Sequence, residues 1–327
     1  MSCEKPLVSV FMITYNHEKY IAQAIEGVLM QKTDFHFELI IGEDCSTDRT
    51  REVVVDYANK YPEIIKPILH EKNVGMKANG RATREASSGK YVALCEGDDY
   101  WIDPLKLQKQ VDFMESHPEC SLCHTYYREV DESSMEIGSV LPKKKLSSVS
   151  EFGDYFPHRS VIRTATVMYR NELTPTPEER KPFIKSIYGD LVLFTILSMK
   201  GKIGLLPDVT AHYRVHEGGV SRGDRIPLME NLILTYSEFE KVFCVKRYVS
   251  IFRFEQALLC SFMAHLCAKR ELTNDAKRFL RKSFTKKVFL ASAMRPRFIA
   301  SLYIFLPRIA RKMANFRAQR SMGKPKV

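Results

Sequence analysis

Glu96, Asp98 and Asp99 stand within four residues of one another, directly after the apolar run Tyr91-Val-Ala-Leu-Cys95. Like charges at that spacing repel, so a buried strand ending in them needs a counter-charge. A divalent cation carrying a phosphate supplies one. Gly97 lets the chain turn sharply between the carboxylates, so that they can face one point. One carboxylate can then hold an oxygen-seeking ion, Mn2+ or Mg2+, while another holds ribose hydroxyls or water ligands. The competing reading is a solvated acidic turn, and the apolar run before it argues against that.

Other polar residues punctuate the ends of apolar runs. Val8-Ser-Val-Phe-Met-Ile-Thr-Tyr-Asn16 ends in Thr14, Tyr15 and Asn16, which suit a nucleobase and a ribose. Asn16 could equally cap a strand-to-helix turn. Asp44 follows a second apolar run and could accept a base N–H or cap the next helix; Ser46 and Asp48 read better as caps. Asn73-Val-Gly75 permits close approach of backbone to a ligand. No Gly-x-Gly-x-x-Gly follows the first strand and no Gly-Lys-Ser/Thr loop exists, which removes the main support for dinucleotide and P-loop folds. Cys120-Ser-Leu-Cys123-His124 has haem-attachment spacing, but it sits in an apolar strand of a chain that starts without an export-signal pattern. No second Cys pair completes a zinc site, and no Ser or Cys nucleophile motif is present.

The elements that must position these residues alternate. Strands are expected over 8–13, 37–42, 64–69, 91–95 and 121–127, with helices over 21–30, 49–61, 76–87 and 104–116 between them. This rhythm predicts an α/β fold with a mostly parallel central sheet flanked by helices. Residues 131–160 are polar and read as a loop; 161–169 and 209–215 read as strands and 190–200 as a helix. From about residue 227 the pattern is helical only, which predicts a C-terminal α-helical extension.

The net charge of +11 is unevenly placed. Residues 277–327 carry 15 Lys or Arg and no Asp or Glu, leaving 35 basic against 39 acidic residues in 1–276. A mildly acidic body with a basic tail fits an anionic surface touched by the tail, and gives no basis for a nucleic-acid partner. Within the tail, Arg295–Arg308 sets an aromatic-aliphatic patch between cations, which could lie on an anionic leaflet or pack on the body with a solvated basic face. Its longest apolar stretch, 298–306, is far short of the about 20 residues that span a bilayer. With scattered cysteines and no export signal, the expected location is cytoplasmic, peripheral on the inner face of the membrane.

Val8–Asn16, Glu38–Thr50, Asn73–Gly75 and Gly89–Trp101 together resemble the family 2 glycosyltransferases of the GT-A fold. The resemblance is near-continuous over residues 6–125 and sparser to about 222. It implies a catalytic domain over 1–225, with a nucleotide-sugar half (1–125) and an acceptor half (126–225), followed by the helical segment 226–327. Thr14, Tyr15, Asn16, Glu18, Asp44, Asn73, Glu96, Gly97 and Asp98 fall on the family's nucleotide-sugar positions. Asp98 matches the direct metal ligand, with Asp99 beside it. Glu96 stands where many members have Asp. The resemblance also implies a catalytic base opening a helix in the second half. Asp190 matches it, although Gly189 replaces the Glu that many members carry. A lone Asp there would otherwise be a cap. His216, near a strand end, is implied as a metal or diphosphate ligand, and Arg214 as a neutraliser of phosphate.

The implied reaction is inverting transfer from a nucleotide-diphosphate sugar, expected to be a UDP-sugar, to a hydroxyl of a glycan or lipid-linked acceptor in surface polysaccharide synthesis. Because Trp101 is the only Trp, the Gln-x-x-Arg-Trp signature of processive synthases is absent. Two other classes compete. A sugar-nucleotide-binding protein without transferase activity would keep Asp98 and lose Asp190. A nucleotidyltransferase would want a Gly-rich basic loop where Thr14-Tyr-Asn-His-Glu18 stands.

Overall fold

The computed structural model describes residues 5–139, 146–155, 162–219, 224–270 and 272–283. The basic patch at 295–308, singled out in the sequence, lies outside the described residues. The chain divides into two compact units, Met1–Glu179 with Gly189–Gly219, and Arg180–Tyr188 with Val220–Val327.

The first unit is built on one sheet. Strands β1 (Val8–Thr14), β2 (Phe37–Glu43), β3 (Ile65–Leu69) and β4 (Tyr91–Leu94) alternate with helices α1 (Ile21–Leu29), α2 (Thr50–Lys60) and α3 (Met76–Ala86). They pair in parallel in the order β3-β2-β1-β4. Both faces of β1 and β4 are covered, which is why they read as continuous apolar runs, whereas the edge strand β3 is only partly buried. Val8, Val10, Met12, Tyr91 and Ala93 pack to one side against Ile21, Ile25 and Val28 of α1. Phe11, Val92 and Leu94 pack to the other.

Beyond β4 the sheet becomes mixed. After β5 (Tyr100–Trp101) and helix α4 (Lys106–Ser116) come β6 (Cys120–Val130), β7 (Glu136–Ser139), β8 (Val149–Ser150), the short helix α5 (Phe152–Tyr155), β9 (Val167–Arg170), the one-turn helix α6 (Pro177–Arg180), α7 (Gly189–Lys200) and β10 (Lys202–Arg214). Strand β9 runs antiparallel between β4 and β6, β10 lies parallel to β6, and β5 pairs antiparallel with β10. Leu193 and Leu197 of α7 join the second face of the core.

Several elements differ from expectation for identifiable reasons. β10 begins seven residues before the expected Val209, because Pro207 and Asp208 break its pattern at a register shift between Leu205 and Val209 without ending the strand. Among the described residues of the expected 161–169 strand, 167–169 pair as part of β9, and a 3-10 turn occupies Thr164–Thr166. Within the expected 131–160 loop, β7 folds back on β6 and β8 adds to β10.

In the second unit, α8 (Arg225–Val242), α9 (Lys246–Lys269) and α10 (Thr273–Lys282) form the C-terminal helical part. Its core is aromatic at one end, where Phe239 sits 4.9 Å from Phe183 and 5.3 Å from Phe252. At the other end it holds Met263, Cys267, Ala276 and Phe279. The 180–188 segment is sewn to α8: Ile187 donates its N–H to Asn231 Oδ1 (2.9 Å), Asn231 Nδ2 donates to the Lys185 carbonyl (2.9 Å), and Tyr188 Oη donates to the Leu228 carbonyl (2.9 Å). No helix among the described residues is long and apolar enough to cross a membrane.

Gly27 of α1 sets the closeness of helix and sheet. A Cβ there would stand 2.9 Å from both the N and the O of Trp101, backbone atoms that cannot rotate away. Gly27→Ala is therefore expected to destabilise the protein by about 1–3 kcal/mol, read from the denaturant midpoint. An unchanged midpoint would mean that α1 can move off β5 freely.

Candidate active site

The carboxyl ends of β1, β2 and β4 lie side by side, as the parallel pairing requires, and that edge is where α/β sheets bind ligands. The chain leaving β4 is tied to the end of β1: Cys95 N–H bonds the Phe11 carbonyl and Gly97 N–H the Ile13 carbonyl, each at 3.0 Å. Gly97 is obligatory here, because a Cβ would fall 2.7 Å from Thr14 Oγ1 and 2.8 Å from Thr14 Cβ. This turn gathers Glu96, Asp98 and Asp99 so that one carboxylate oxygen from each lies within 4.8 Å of the others.

The far end of β10 closes the cluster. Arg214 donates its backbone N–H to Asp99 Oδ1 (2.8 Å) and its Nε to the Asp98 carbonyl (3.0 Å). Its remaining donors reach the carbonyls of Asp131 and Glu132 (3.2 Å each), Ser134 Oγ (3.1 Å) and Gln23 Oε1 (2.6 Å). The guanidinium lies 4.7 Å from the Tyr20 ring and 5.2 Å from Tyr100. Arg214 is thus a buried brace, a role that the sequence did not suggest. Two residues on, His216 Nε2 donates to Asp98 Oδ2 at 3.1 Å.

The three carboxylates sit in different electrostatic states. Burial, then the charges of Asp98 and Asp190, push Glu96 up to about 8. Burial also works to raise Asp98, but the hydrogen bond from His216 and the charge of His17 outweigh it and hold Asp98 below the usual carboxylate range. Burial and the charges of Asp98 and Glu96 drive Asp99 well above it. Asp99 is 1% exposed, and its Oδ2 is a buried atom without a hydrogen-bond partner, as is Thr14 Oγ1. An unpaired buried oxygen beside two further carboxylates is a donor set that fits a hard divalent cation. Glu96, Asp98 and Asp99 could hold one, with the His216 nitrogen adjacent.

Asp190 opens α7, and its Oδ1 accepts the N–H of Leu191 at 2.7 Å. The residue is open to solvent, yet protein atoms crowd its carboxyl and raise its pKa; the charge of Arg163 pulls the other way. Its charge in turn raises Glu96, so the two ends of the site feel each other.

The residues after β1 and β2 clasp two loops together. Asn16, in left-handed backbone (φ 56°), donates its N–H to Ser46 Oγ (3.0 Å), and its Oδ1 accepts the Thr47 N–H (2.8 Å). Glu18 Oε2 accepts the Arg49 N–H, and Asp48 Oδ2 accepts the Glu18 N–H, both at 3.0 Å. Asp48 Oδ1 also accepts the Thr50 N–H (2.9 Å) at the start of α2. Asp44 is buried and receives the N–H groups of Val74 (2.7 Å) and Gly75 (2.9 Å), fixing the loop that carries Asn73. Asn73 Oδ1 accepts the Gly75 N–H at 3.1 Å. Tyr15 is 41% exposed at this rim.

Two residues at the site were not singled out in the sequence. His17 Nε2 lies 3.9 Å from Asp98 Oδ2, and burial lowers its pKa against the opposing pull of Asp98. Its place between Asn16 and Glu18 was the only available signal. Arg163 lies 4.8 Å from the Tyr213 ring and 5.4 Å from Tyr127, and its charge bears on both Asp99 and Asp190. Nothing in the local sequence marks it.

Residues 9–172 match the family description "Glycosyl transferase family 2", half of the chain. The chain belongs to this family. A Bacillus subtilis relative, the putative teichuronic acid biosynthesis glycosyltransferase TuaG, is 30% identical over 243 residues, 74% of this chain and 92% of its own. Uncharacterized mycobacterial relatives, among them one from Mycobacterium tuberculosis, are 37% identical over 213 residues; the match covers 65% of this chain and 60% of theirs. Among solved structures, Staphylococcus aureus TarS 1-349 in complex with UDP-GlcNAc superposes with a TM-score of 0.64 at 19% identity, covering 90% of this chain and 86% of that one. The Pyrobaculum calidifontis mannosyltransferase PcManGT, in complex with GDP-Man and Mn2+, superposes with a TM-score of 0.51 at 14% identity, covering 96% and 84%. The likeness to TarS, with the α/β sheet described above, gives this family 2 chain the GT-A fold.

The state of Glu96 carries a signed pH dependence. Its folded pKa, about 8, exceeds the ordinary 4.5, so the ion-free fold holds this proton more tightly than the unfolded chain. That contribution is complete below 4.5 and is lost as pH rises toward 8. The melting temperature of the ion-free protein is expected to fall across this window more steeply than that of Glu96→Gln. Added Mn2+ should restore stability at the upper end. Parallel melting profiles for the two proteins would show that Glu96 titrates normally.

Proposed function

We propose that this protein is an inverting glycosyltransferase that moves a sugar from a nucleotide-diphosphate donor, a UDP-sugar, to a hydroxyl of a glycan or lipid-linked acceptor in surface polysaccharide synthesis. The observation that carries the reading is the Glu96–Asp98–Asp99 cluster at the carboxyl edge of the sheet, with Asp190 within electrostatic reach. The UDP- and GDP-sugars bound by TarS and PcManGT support a nucleotide-sugar donor, and the name of TuaG supports a cell-surface glycan as product.

The residues divide the work by their surroundings. Asp98 and Asp99, with Glu96 and His216 beside them, are positioned to hold Mn2+ or Mg2+, which when bound offsets the charge of the donor diphosphate. Thr14, Tyr15 and Asn16, the loop braced by Asp44, and Asn73 form the shelf for base and ribose. Asp190 takes the proton from the acceptor hydroxyl as that oxygen bonds to the anomeric carbon; the bond from that carbon to the diphosphate oxygen breaks, and its electron pair leaves with the nucleotide. The shift of the Asp190 pKa is upward, the direction that makes it a stronger base. One base and one displacement invert the anomeric centre without a covalent intermediate. The presence of Asp190 favours this over a sugar-nucleotide-binding role, and the Thr14–Glu18 turn lacks the glycines of a nucleotidyltransferase loop.

Incubation with Mn2+ and a panel of nucleotide sugars should identify one donor that raises the melting temperature and is slowly hydrolysed. Asp190→Asn is expected to lower transfer by at least about 100-fold while leaving donor binding intact. Asp98→Asn should lose metal-dependent donor binding as well. Normal turnover of Asp190→Asn would remove Asp190 from the role of base. For the basic segment 277–327, we infer contact with an anionic leaflet. The full chain should then pellet with phosphatidylglycerol vesicles, and a chain ending near residue 290 should not.

A further inference from the structure

His17 has no task in the reaction as derived, yet the fold delivers its ring to the carboxylate cluster. Its N–H donates to Thr50 Oγ1 at 2.8 Å, and its carbonyl accepts the N–H groups of Tyr20 and Ile21, both at 2.9 Å. The main chain is therefore fixed by the turn that starts α1. Nε2 points at Asp98 Oδ2 from 3.9 Å, the same oxygen that His216 Nε2 meets at 3.1 Å. The two rings stand edge to face at 6.1 Å, with Tyr20 packed 5.0 Å from His216 and 6.4 Å from His17. The other ring nitrogen, His17 Nδ1, is a buried atom without a hydrogen-bond partner.

His17 Nε2, at 3.9 Å, is beyond hydrogen-bond distance of an oxygen that His216 already reaches, so a hydrogen bond does not account for its approach. Two imidazole nitrogens converging on that oxygen, beside the unpartnered Asp99 Oδ2, make the geometry of a coordination shell. Ligands on adjacent corners of an octahedral ion, with bonds of about 2.1 Å, stand about 3.0 Å apart. The Asp98–His216 pair is already at 3.1 Å, and His17 at 3.9 Å needs only a small side-chain movement to join it. We propose that His17 is a second nitrogen ligand of the divalent ion, beside His216 and the Asp98 carboxylate. The inference rests on the metal-bound reading above. Its chemical consequence is a shell of mixed nitrogen and oxygen donors, which disfavours Mg2+, a hard cation that takes oxygen ligands and gives up its waters reluctantly.

The test uses the full chain and Mn2+ alone as probe. Electron spin-echo modulation of bound Mn2+ should show two coupled imidazole nitrogens in the wild type and one in His17→Gln, with one also in His216→Gln. Titration of free Mn2+ should show His17→Gln weakened by at least about 10-fold. A single nitrogen in the wild type overturns the assignment of His17 and leaves the metal-bound reading standing, whether or not the variant folds. Two nitrogens that persist in a folded His17→Gln overturn it equally. A wild type that binds no Mn2+ overturns both.

Discussion

Three carboxylates within 4.8 Å of one another repel, and the surrounding structure is organised to hold them there. Two constraints do most of this. Gly97 lets the turn after β4 press against Thr14 at the end of β1. Arg214, spread between Asp99, the Asp98 carbonyl, the 131–134 turn and Gln23 of α1, ties the end of β10 to the same turn. The brace is cationic, so it offsets part of the repulsion. It binds mostly through carbonyls and a backbone N–H, so it leaves the carboxylate oxygens that face the site free to take a ligand. The unpaired oxygen of Asp99 is the residue of that arrangement: a cost in the ion-free fold and a ready donor for a cation.

The parallel half of the sheet and the mixed half serve different ends. In the parallel half, every strand ends at one edge, so the loops after β1 and β2 meet and fasten to one another through Asn16, Glu18 and Asp48. Their polar side chains are largely used in building the rim. In the mixed half, β10 carries Arg214 and His216 to the cluster from the opposite direction in sequence. The antiparallel β5 supplies Tyr100, against which the Arg214 guanidinium lies.

What could be read from the sequence follows from this division. β1, β2 and β4 were legible because burial leaves apolar runs, β3 only weakly because Lys66 and Pro67 interrupt it, and the acidic turn was legible because three charges after such a run are conspicuous. β5 was not, since two residues, Tyr100 and Trp101, carry no period. The first half of β10 was hidden by Pro207 and Asp208, which a bulge accommodates. The bracing role of Arg214 was not legible, because its acceptors at Gln23, Asp131 and Glu132 are remote in sequence or are carbonyls that no pattern displays. His17 and Arg163 become interesting only through partners at Asp98 and at Tyr127 and Tyr213, far along the chain.

The division of the chain between its two units has a topological consequence. The polypeptide leaves the first unit after Glu179, gives nine residues to the second, and re-enters at Gly189, one residue before Asp190. The boundary is therefore crossed three times, and no single cut separates the units. Ending the chain after Gly219 would keep every residue of the sheet but strip Phe183 of Phe239 and strip Ile187 of Asn231. A buried aromatic would be turned out to water seven residues before Asp190. The nine residues that precede Gly189 are thus held by the helical part, although they lie between two stretches of the sheet-bearing unit.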